Sequence, residues 1–170
     1  TQSTVTVALT SANVDMTVAA NKTVTTDTLP TGFTVSAADL TANGTAATQT
    51  ITVANNVDAG TYTVTFKAAG LTASVKVTVA KASVTPVATG TATITAGTRV
   101  ANIEPAITAS GTGYTLADDV IILVNDIEES ANYRLQSGDV VKAVIKATAD
   151  KNHTLTTDTI TVELGTVAGE

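Results

Sequence analysis

Apolar and polar residues alternate along most of the first half of the chain. Apolar residues recur at every second position in several runs, and threonine, serine or lysine fills most positions between them; the runs are 5–9, 33–35, 51–53, 62–66 and 73–79. A period of two is that of a β-strand with one buried face. Met16 and Val18 extend the pattern and predict a further strand.

Turn-forming clusters of Asn, Gly, Pro and Lys separate these runs, at 21–22, 30–32, 43–44, 55–56 and 69–70. About seven short strands with turns at this spacing predict a β-sandwich. Two packed sheets can bury apolar rows that a single strand pair leaves exposed. We therefore expect residues 1–81 to form one domain of this kind.

The second half of the chain is predicted to be β-rich as well, with strands at 91–95, 103–107, 114–116, 140–147 and 160–164. The run Val120-Ile121-Ile122-Leu123-Val124 is the most apolar in the chain. It predicts a strand that is buried on both faces or covered by another element. A helix fits the pattern only at 126–132. Pro86 cannot donate to a strand ladder, so it suits a boundary, and we place the domain junction at 81–83.

Composition supports the all-β class and limits the chemistry. The chain has 37 threonines, 3% aromatic residues and no cysteine. β-branched residues pack well on a pleated surface, so this composition favours strands. The lack of cysteine excludes thiol catalysis and cysteine-based zinc sites. No stretch of about 18 apolar residues is present, which predicts no membrane insertion. The chain enters a strand pattern at once, so either an export signal has been removed or the chain is an excised fragment of a secreted protein, and we favour the fragment.

The net charge of −6 argues against nucleic-acid binding, which needs a basic face. The charge is also unevenly distributed. Residues 1–81 carry four basic and four acidic residues, whereas residues 82–170 carry five basic and eleven acidic residues. The two halves are therefore chemically different.

Acidic residues cluster in the second half, at Asp118, Asp119, Asp126, Glu128, Glu129 and Asp139. Calcium takes about six to eight oxygen ligands, often from carboxylates and carbonyls in loops. The first five of these residues are the candidate calcium ligands, and calcium is the only cofactor that the sequence suggests. The alternative is a solvated acidic surface that keeps the protein soluble.

The residues needed for catalysis are scarce. His153 is the one histidine and lies in the polar turn Lys151-Asn152-His153-Thr154, where a solvated role is expected. Ser110-Gly111-Thr112-Gly113 contains a G-x-G, but no helix pattern follows it. Nucleophile-elbow and phosphate-loop motifs are missing. The sequence predicts that the protein is not an enzyme.

The segment Asp58-Ala59-Gly60-Thr61-Tyr62 resembles the D-x-G-x-Y motif of immunoglobulin-like domains. The resemblance implies that the tyrosine hydroxyl bonds back to the backbone at the corner before strand F, two residues ahead of a core cysteine. Val64 stands at that position, so the corner is kept without the disulfide. The alternative is that Tyr62 is an ordinary half-buried strand residue. We interpret 1–81 and 82–170 as two tandem immunoglobulin-like β-sandwich domains, the second of them acidic.

This composition, rich in threonine, alanine and valine and poor in aromatic residues, resembles that of the S-layer proteins of Gram-positive bacilli. The resemblance implies a structural, non-catalytic module of a self-assembling lattice on the cell wall, often with calcium-dependent packing. Its partners would be copies of itself or neighbouring domains of the same surface protein. The alternatives are an adhesin module or a spacer. The few aromatic residues argue against stacking on sugars.

Overall fold

The structure is a computed structural model that describes residues 2–169. The predicted all-β class is confirmed. The contacts within the chain divide it into two compact units, with the division between Ala80 and Lys81. The elements of the first unit are β1 (Ser3–Leu9), α1 (Ala19–Lys22), β2 (Thr25–Thr26), β3 (Phe33–Ser36), β4 (Ala47–Val53), β5 (Gly60–Ala68) and β6 (Leu71–Val79).

Two three-stranded antiparallel sheets form the first unit, in the orders β1-β4-β3 and β2-β5-β6. Alternate residues of each strand meet in one core, which includes Phe33, Ile51 and Val53 from the first sheet and Val64, Phe66 and Val77 from the second. The alternation read from the sequence therefore identifies the core side of these strands correctly.

Gln49 is a polar side chain inside this core, and it is fully buried. Its carboxamide accepts a hydrogen bond from the backbone N–H of Ala38 at 2.9 Å and donates to the Ala38 carbonyl at 2.7 Å. A buried polar group costs free energy unless it is hydrogen-bonded, and these contacts satisfy it. They also attach the segment after β3 to the core.

The predicted strand at Met16 and Val18 is wrong. These residues lie in a turn and bend that lead into the one-turn helix α1. The Asp15 carboxylate accepts hydrogen bonds from the backbone N–H and the hydroxyl of Thr17, at 2.9 and 2.6 Å. The Asn21 side chain donates to the Asp15 carbonyl at 2.9 Å. Such local bonds compete with a strand ladder, and here they prevail.

Up to residue 169, the second unit contains eight strands: β7 (Ala82–Val84), β8 (Ala88–Thr91), β9 (Ala106–Ala109), β10 (Tyr114–Val124), β11 (Ile127–Glu128), β12 (Val140–Ala149), β13 (His153–Leu155) and β14 (Thr159–Thr166). Its main sheet is antiparallel, in the order β11-β10-β12-β14. A β8–β9 antiparallel pair and a β7–β13 parallel pair complete the unit. Its core includes Leu135, Val141, Ala143 and Val162.

Three details of the second half differ from the sequence-based expectation. The run 120–124 is the end of the eleven-residue β10 and is buried on one face only, because Ile121 is 42% exposed while Val124 is 1% exposed. Strand β8 ends at Thr91, so 92–95 are not strand. Ile103 follows a 3-10 turn at Val100–Asn102, and the strand predicted from 103 begins only at Ala106.

The segment 126–132 is not a helix. Val124 pairs with Ile127 across a two-residue turn, in which Asn125 and Asp126 both have positive φ, at 53° and 66°. Two successive positive φ values are typical of the type I′ turn that joins hairpin strands, and Asn and Asp adopt them readily. Turn chemistry therefore overrides helix propensity at this point.

Candidate functional site

Asp118 and Asp119, two of the five predicted calcium ligands, lie in a bulge of β10. Leu116 pairs with Ala147 and Val120 pairs with Ile145, so three residues of β10 lie opposite the single Lys146 of β12. The extra residues project from the ladder, and both aspartates are exposed. A bulge of this kind re-aims side chains at the surface of a sheet.

Asp126, Glu128 and Glu129 lie at the end of β10 and in the hairpin that follows. Asp126 occupies the tight turn, Glu128 ends β11, and Glu129 begins the next loop. Asp126 and Glu128 are exposed, and Glu129 is half-buried. These three residues therefore lie near one another along the chain and apart from the bulge.

The structure does not bring all five acidic residues to one point. The five residues of strand between Asp119 and Val124 span about 16 Å, whereas calcium ligands lie about 2.4 Å from the ion. Within residues 2–169, no group of three or more His, Asp or Glu side chains is arranged to hold a metal ion. Calcium binding by this chain stays a prediction.

Asp126 is engaged in an ion pair. Lys142, near the start of β12, lies 2.6 Å from the Asp126 carboxylate and 3.4 Å from that of Glu163 on β14. The hydrogen bond to Asp126, followed by the charges of both carboxylates, raises the pKa of the Lys142 ammonium above its usual value. Lys142 therefore links the hairpin turn to the main sheet and neutralises part of the acidic surface.

Asp139 is the acidic residue of the cluster that the fold buries, at 6% exposure. Its carboxylate accepts hydrogen bonds from the Gln136 backbone N–H at 2.7 Å, the Asn125 amide at 2.9 Å and the Tyr133 hydroxyl at 3.0 Å. These donors hold the pKa of Asp139 below its usual value, and the Gln136 N–H is the largest cause. The hydrogen bond that the Tyr133 hydroxyl donates to Asp139 raises the pKa of Tyr133.

The Asp139 network joins the β10–β11 turn to the loop before β12, so its role is structural. By its place in the sequence, Asp139 belongs to the same acidic cluster as the exposed Asp118, Asp119, Asp126 and Glu128. The sequence feature that distinguishes Asp139 from the exposed residues is that it closes the turn Gln136-Ser137-Gly138-Asp139. This turn follows the fully buried Leu135, and Gly138 within it has a φ of +90°. An aspartate that closes a turn can bond to backbone N–H groups of the same turn.

His153 is paired with Asp150 in the turn between β12 and β13, and its Nδ1 lies 2.6 Å from the carboxylate. This contact is the main reason why the pKa of Asp150 is lowered. The imidazole also covers Gly113, where an added Cβ would lie 2.8 Å from the ring. The pair therefore holds the turn before β10 against the turn after β12.

The outward side of the β1-β4-β3 sheet is covered with hydroxyl groups. Residues opposite each other in a sheet project from the same face. The register gives one row of Thr4, Thr52 and Thr34, a second of Thr6, Thr50 and Ser36, and a third of Ala8 and Thr48. No charged residue belongs to these three strands. We call this surface the hydroxyl face.

The outward side of the β2-β5-β6 sheet differs from the hydroxyl face because it carries charge. Lys67 and Lys76 are exposed among its threonines, and Lys67 is paired with Asp27. Thr65 and Ser74 share a hydrogen bond at 2.8 Å on this sheet. The neutral surface is therefore confined to one side of the first unit.

A small apolar cleft lies in the first unit, near the hairpin that joins β5 to β6. It has a volume of about 170 Å³, and Leu9, Val14, Leu40, Phe66 and Leu71 are among its lining residues. Sites for drug-sized ligands are larger, at about 300 Å³ or more. The cleft is therefore too small to define a binding site for such a molecule.

These features define the class of the molecule as an all-β chain of mainly antiparallel sheets with a neutral, hydroxyl-covered face and an acidic second unit. Comparison of the chain with protein-family models, with curated proteins and with solved structures finds no match. In residues 2–169, no helix is long and apolar enough to cross a membrane. The proposed function is therefore argued from the arrangement of the residues described above.

Proposed function

We propose that this chain is a structural, non-catalytic module of a secreted bacterial surface protein, which contributes to a self-assembling S-layer lattice on the cell wall. The hydroxyl face is the observation that carries this proposal. Exposed surfaces usually carry many charged side chains, and a net charge of one sign keeps neighbouring molecules apart. A face without charge, in which every hydroxyl can both donate and accept, can meet another polar surface without repulsion.

We further propose that the first unit is an immunoglobulin-like sandwich. Its two sheets, β1-β4-β3 and β2-β5-β6, have the order of strands B-E-D and C-F-G of that fold. The Tyr62 hydroxyl donates to the Asp58 carbonyl at 2.8 Å, near the start of β5, which occupies the position of strand F. This contact is the one that the D-x-G-x-Y resemblance implies.

A related sandwich is proposed for the second unit. Its main sheet faces the β8–β9 pair, because a Cβ added at Gly90 of β8 would lie 3.1 Å from Val162 of β14. The Tyr114 hydroxyl is bonded to both backbone groups of Val87, at 2.5 Å to the carbonyl and 2.9 Å to the N–H. A tyrosine again anchors a chain segment to the edge of the core.

The non-catalytic part of the proposal rests on how the ionisable groups are used. Asp139 accepts three hydrogen bonds that tie loops together, His153 holds two turns, and Lys142 joins strands. Each of these groups has a structural partner and a structural task. Copies of the chain, or neighbouring domains of the same protein, would be its partners at the cell surface.

Light scattering of the purified chain, with and without about 1 mM calcium, followed by electron microscopy, tests the proposal. We expect large species that are ordered sheets by microscopy. A chain that stays monomeric under both conditions would contradict the lattice. It would leave a spacer or an adhesin module as the function to test next.

A further inference from the structure

Strand β1 is an edge of its sheet. Its seven residues pair with β4 without interruption, from Ser3 opposite Val53 to Leu9 opposite Ala47. In the part of the chain that the structure describes, no strand pairs with the other side of β1. An unpaired strand edge presents backbone N–H and C=O groups that can pair with another strand.

The other described edges are short or charged. The strands β2, β3, β7, β8, β9, β11 and β13 have two to four residues each. The longer edge strands β6 and β14 contain Lys76 and Glu163, and a charged side chain protects an edge from pairing. Strand β1 has no charge, no proline and no bulge. It is therefore the one long, unprotected edge among residues 2–169.

The absence of charge on β1 favours a second copy of the same strand as its partner. The net charge of −6 lies in residues 82–170, so two copies repel each other at their acidic surfaces, but the edge and the adjoining hydroxyl face are neutral. An antiparallel pair of identical strands is self-complementary about a two-fold axis. Pairing centred on Thr6 places Val5 opposite Val7 of the other copy, on the core side. Val5, which is 38% exposed, would thereby be covered.

We propose that two copies of this chain join by antiparallel pairing of their β1 strands about Thr6, which gives one continuous six-stranded sheet. This inference rests on the proposed self-assembly and assigns one of its contacts. The pairing also merges two hydroxyl faces into one neutral surface of twice the size. A two-fold contact closes on itself, so a lattice needs further contacts besides this one.

Cross-linking through Thr6→Cys tests the register, since the chain has no cysteine of its own. The two substituted residues would face each other with Cα atoms about 5 Å apart, a separation that a disulfide spans. We expect a covalent dimer on mild oxidation. Thr4→Cys is the matched control, because in this register the two copies of residue 4 lie about 13 Å apart. Equal cross-linking of both variants would overturn the register.

Charge substitution tests the edge. Thr6 and Thr34 are both exposed on the hydroxyl face, one on β1 and the other on β3 at the opposite edge. Thr6→Lys would place two ammonium groups opposite each other and raise the dimer dissociation constant roughly fivefold. Thr34→Lys should leave it unchanged. Sedimentation equilibrium measures both variants, and a dimer that Thr6→Lys does not weaken would overturn the inference.

The two proposals fail in different ways. Ordered sheets formed equally by the wild type and by Thr6→Lys would support the lattice and overturn the β1 contact. A dimer that cross-links through Thr6→Cys and never grows into sheets would support the β1 contact and contradict the lattice. A chain that is monomeric at about 100 µM and does not cross-link would overturn the β1 contact, whatever lattice a longer protein forms.

Discussion

Tyr62 shows how one side chain can secure a corner of the first unit. Its ring lies 5.0 Å from that of Phe33, and its hydroxyl donates to the Asp58 carbonyl. Tyr62→Phe keeps the ring and removes the hydrogen bond. We expect the free energy of unfolding of the first unit to fall by about 1 kcal/mol, the usual net contribution of such a bond. Urea denaturation measures it.

Thr63→Ala is the control for Tyr62→Phe. Thr63 is the next residue of β5 and is exposed, so its truncation should change stability by less than about 0.5 kcal/mol. If the two substitutions had equal effects, the hydroxyl of Tyr62 would have no special role at the corner.

Asp139 should make the stability of the second unit depend on pH. Its pKa is lowered in the folded protein, so the ionised form is favoured by folding. The stabilisation is complete above the unfolded value of about 3.9 and is lost as the pH falls through the lower folded pKa. Asp139→Asn should cost about 2 kcal/mol at pH 7, since it disturbs three hydrogen bonds to a charge. In the Asp139→Asn variant, the stability of the second unit should also fall less steeply as the pH is lowered below about 4.

Thermal unfolding between about pH 2 and pH 7 measures both effects of Asp139→Asn. Asp118→Asn is the control, because it removes an exposed carboxylate from the β10 bulge. An acid limb of the same slope in both variants would show that Asp139 does not carry the pH dependence.

At the scale of elements, Gly113, the residue before β10, is important because it packs against the ring of His153. Gly113 has a φ of +92° and lies under the His153 ring, whereas Gly97 has a φ of +83° and open space around it. Both Gly→Ala changes introduce backbone strain of about 1 kcal/mol. Gly113→Ala should cost about a further 1–2 kcal/mol from overpacking against the ring. Urea unfolding of the second unit compares them.

The imidazole can be removed to check the cause. In a His153→Ala background, the excess cost of Gly113→Ala over Gly97→Ala should disappear, because the atoms that the new methyl group meets are gone. If Gly113→Ala still cost more free energy of unfolding than Gly97→Ala in this background, the strain would lie in the backbone and not in the contact between the two turns.

For the whole molecule, the uneven charge predicts how ions act on assembly. Residues 82–170 carry the entire net charge of −6, so screening of that charge should favour association. The intensity of scattered light should therefore rise as the NaCl concentration is increased from about 20 to about 150 mM. Calcium should act beyond screening only if the predicted calcium site exists. Magnesium at the same ionic strength is the control, and equal effects of the two ions would contradict a calcium-specific site.

The strands with strict alternation could be predicted well. The rows in β4, β5 and β6 bury Ile51, Val64 and Val77 as expected, because period-two patterning expresses burial on one face directly. The errors fall where side-chain hydrogen bonds or turn geometry decide. Asp15 forms a turn where a strand was predicted, and Asn125-Asp126 form a hairpin turn where the pattern allowed a helix.

The sequence by itself determined the all-β class and the core side of the regular strands, since alternation depends on neighbours within a few residues. The hydrogen bond of Tyr62 was implied by the resemblance of its motif, and the structure contains it. Only the tertiary structure decided that Asp139 is buried while Asp118 and Asp119 are exposed, and that β1 is an open edge. Burial of a carboxylate and the position of a strand in a sheet depend on which distant segments pack beside it. The spacing of residues along the chain does not contain that information.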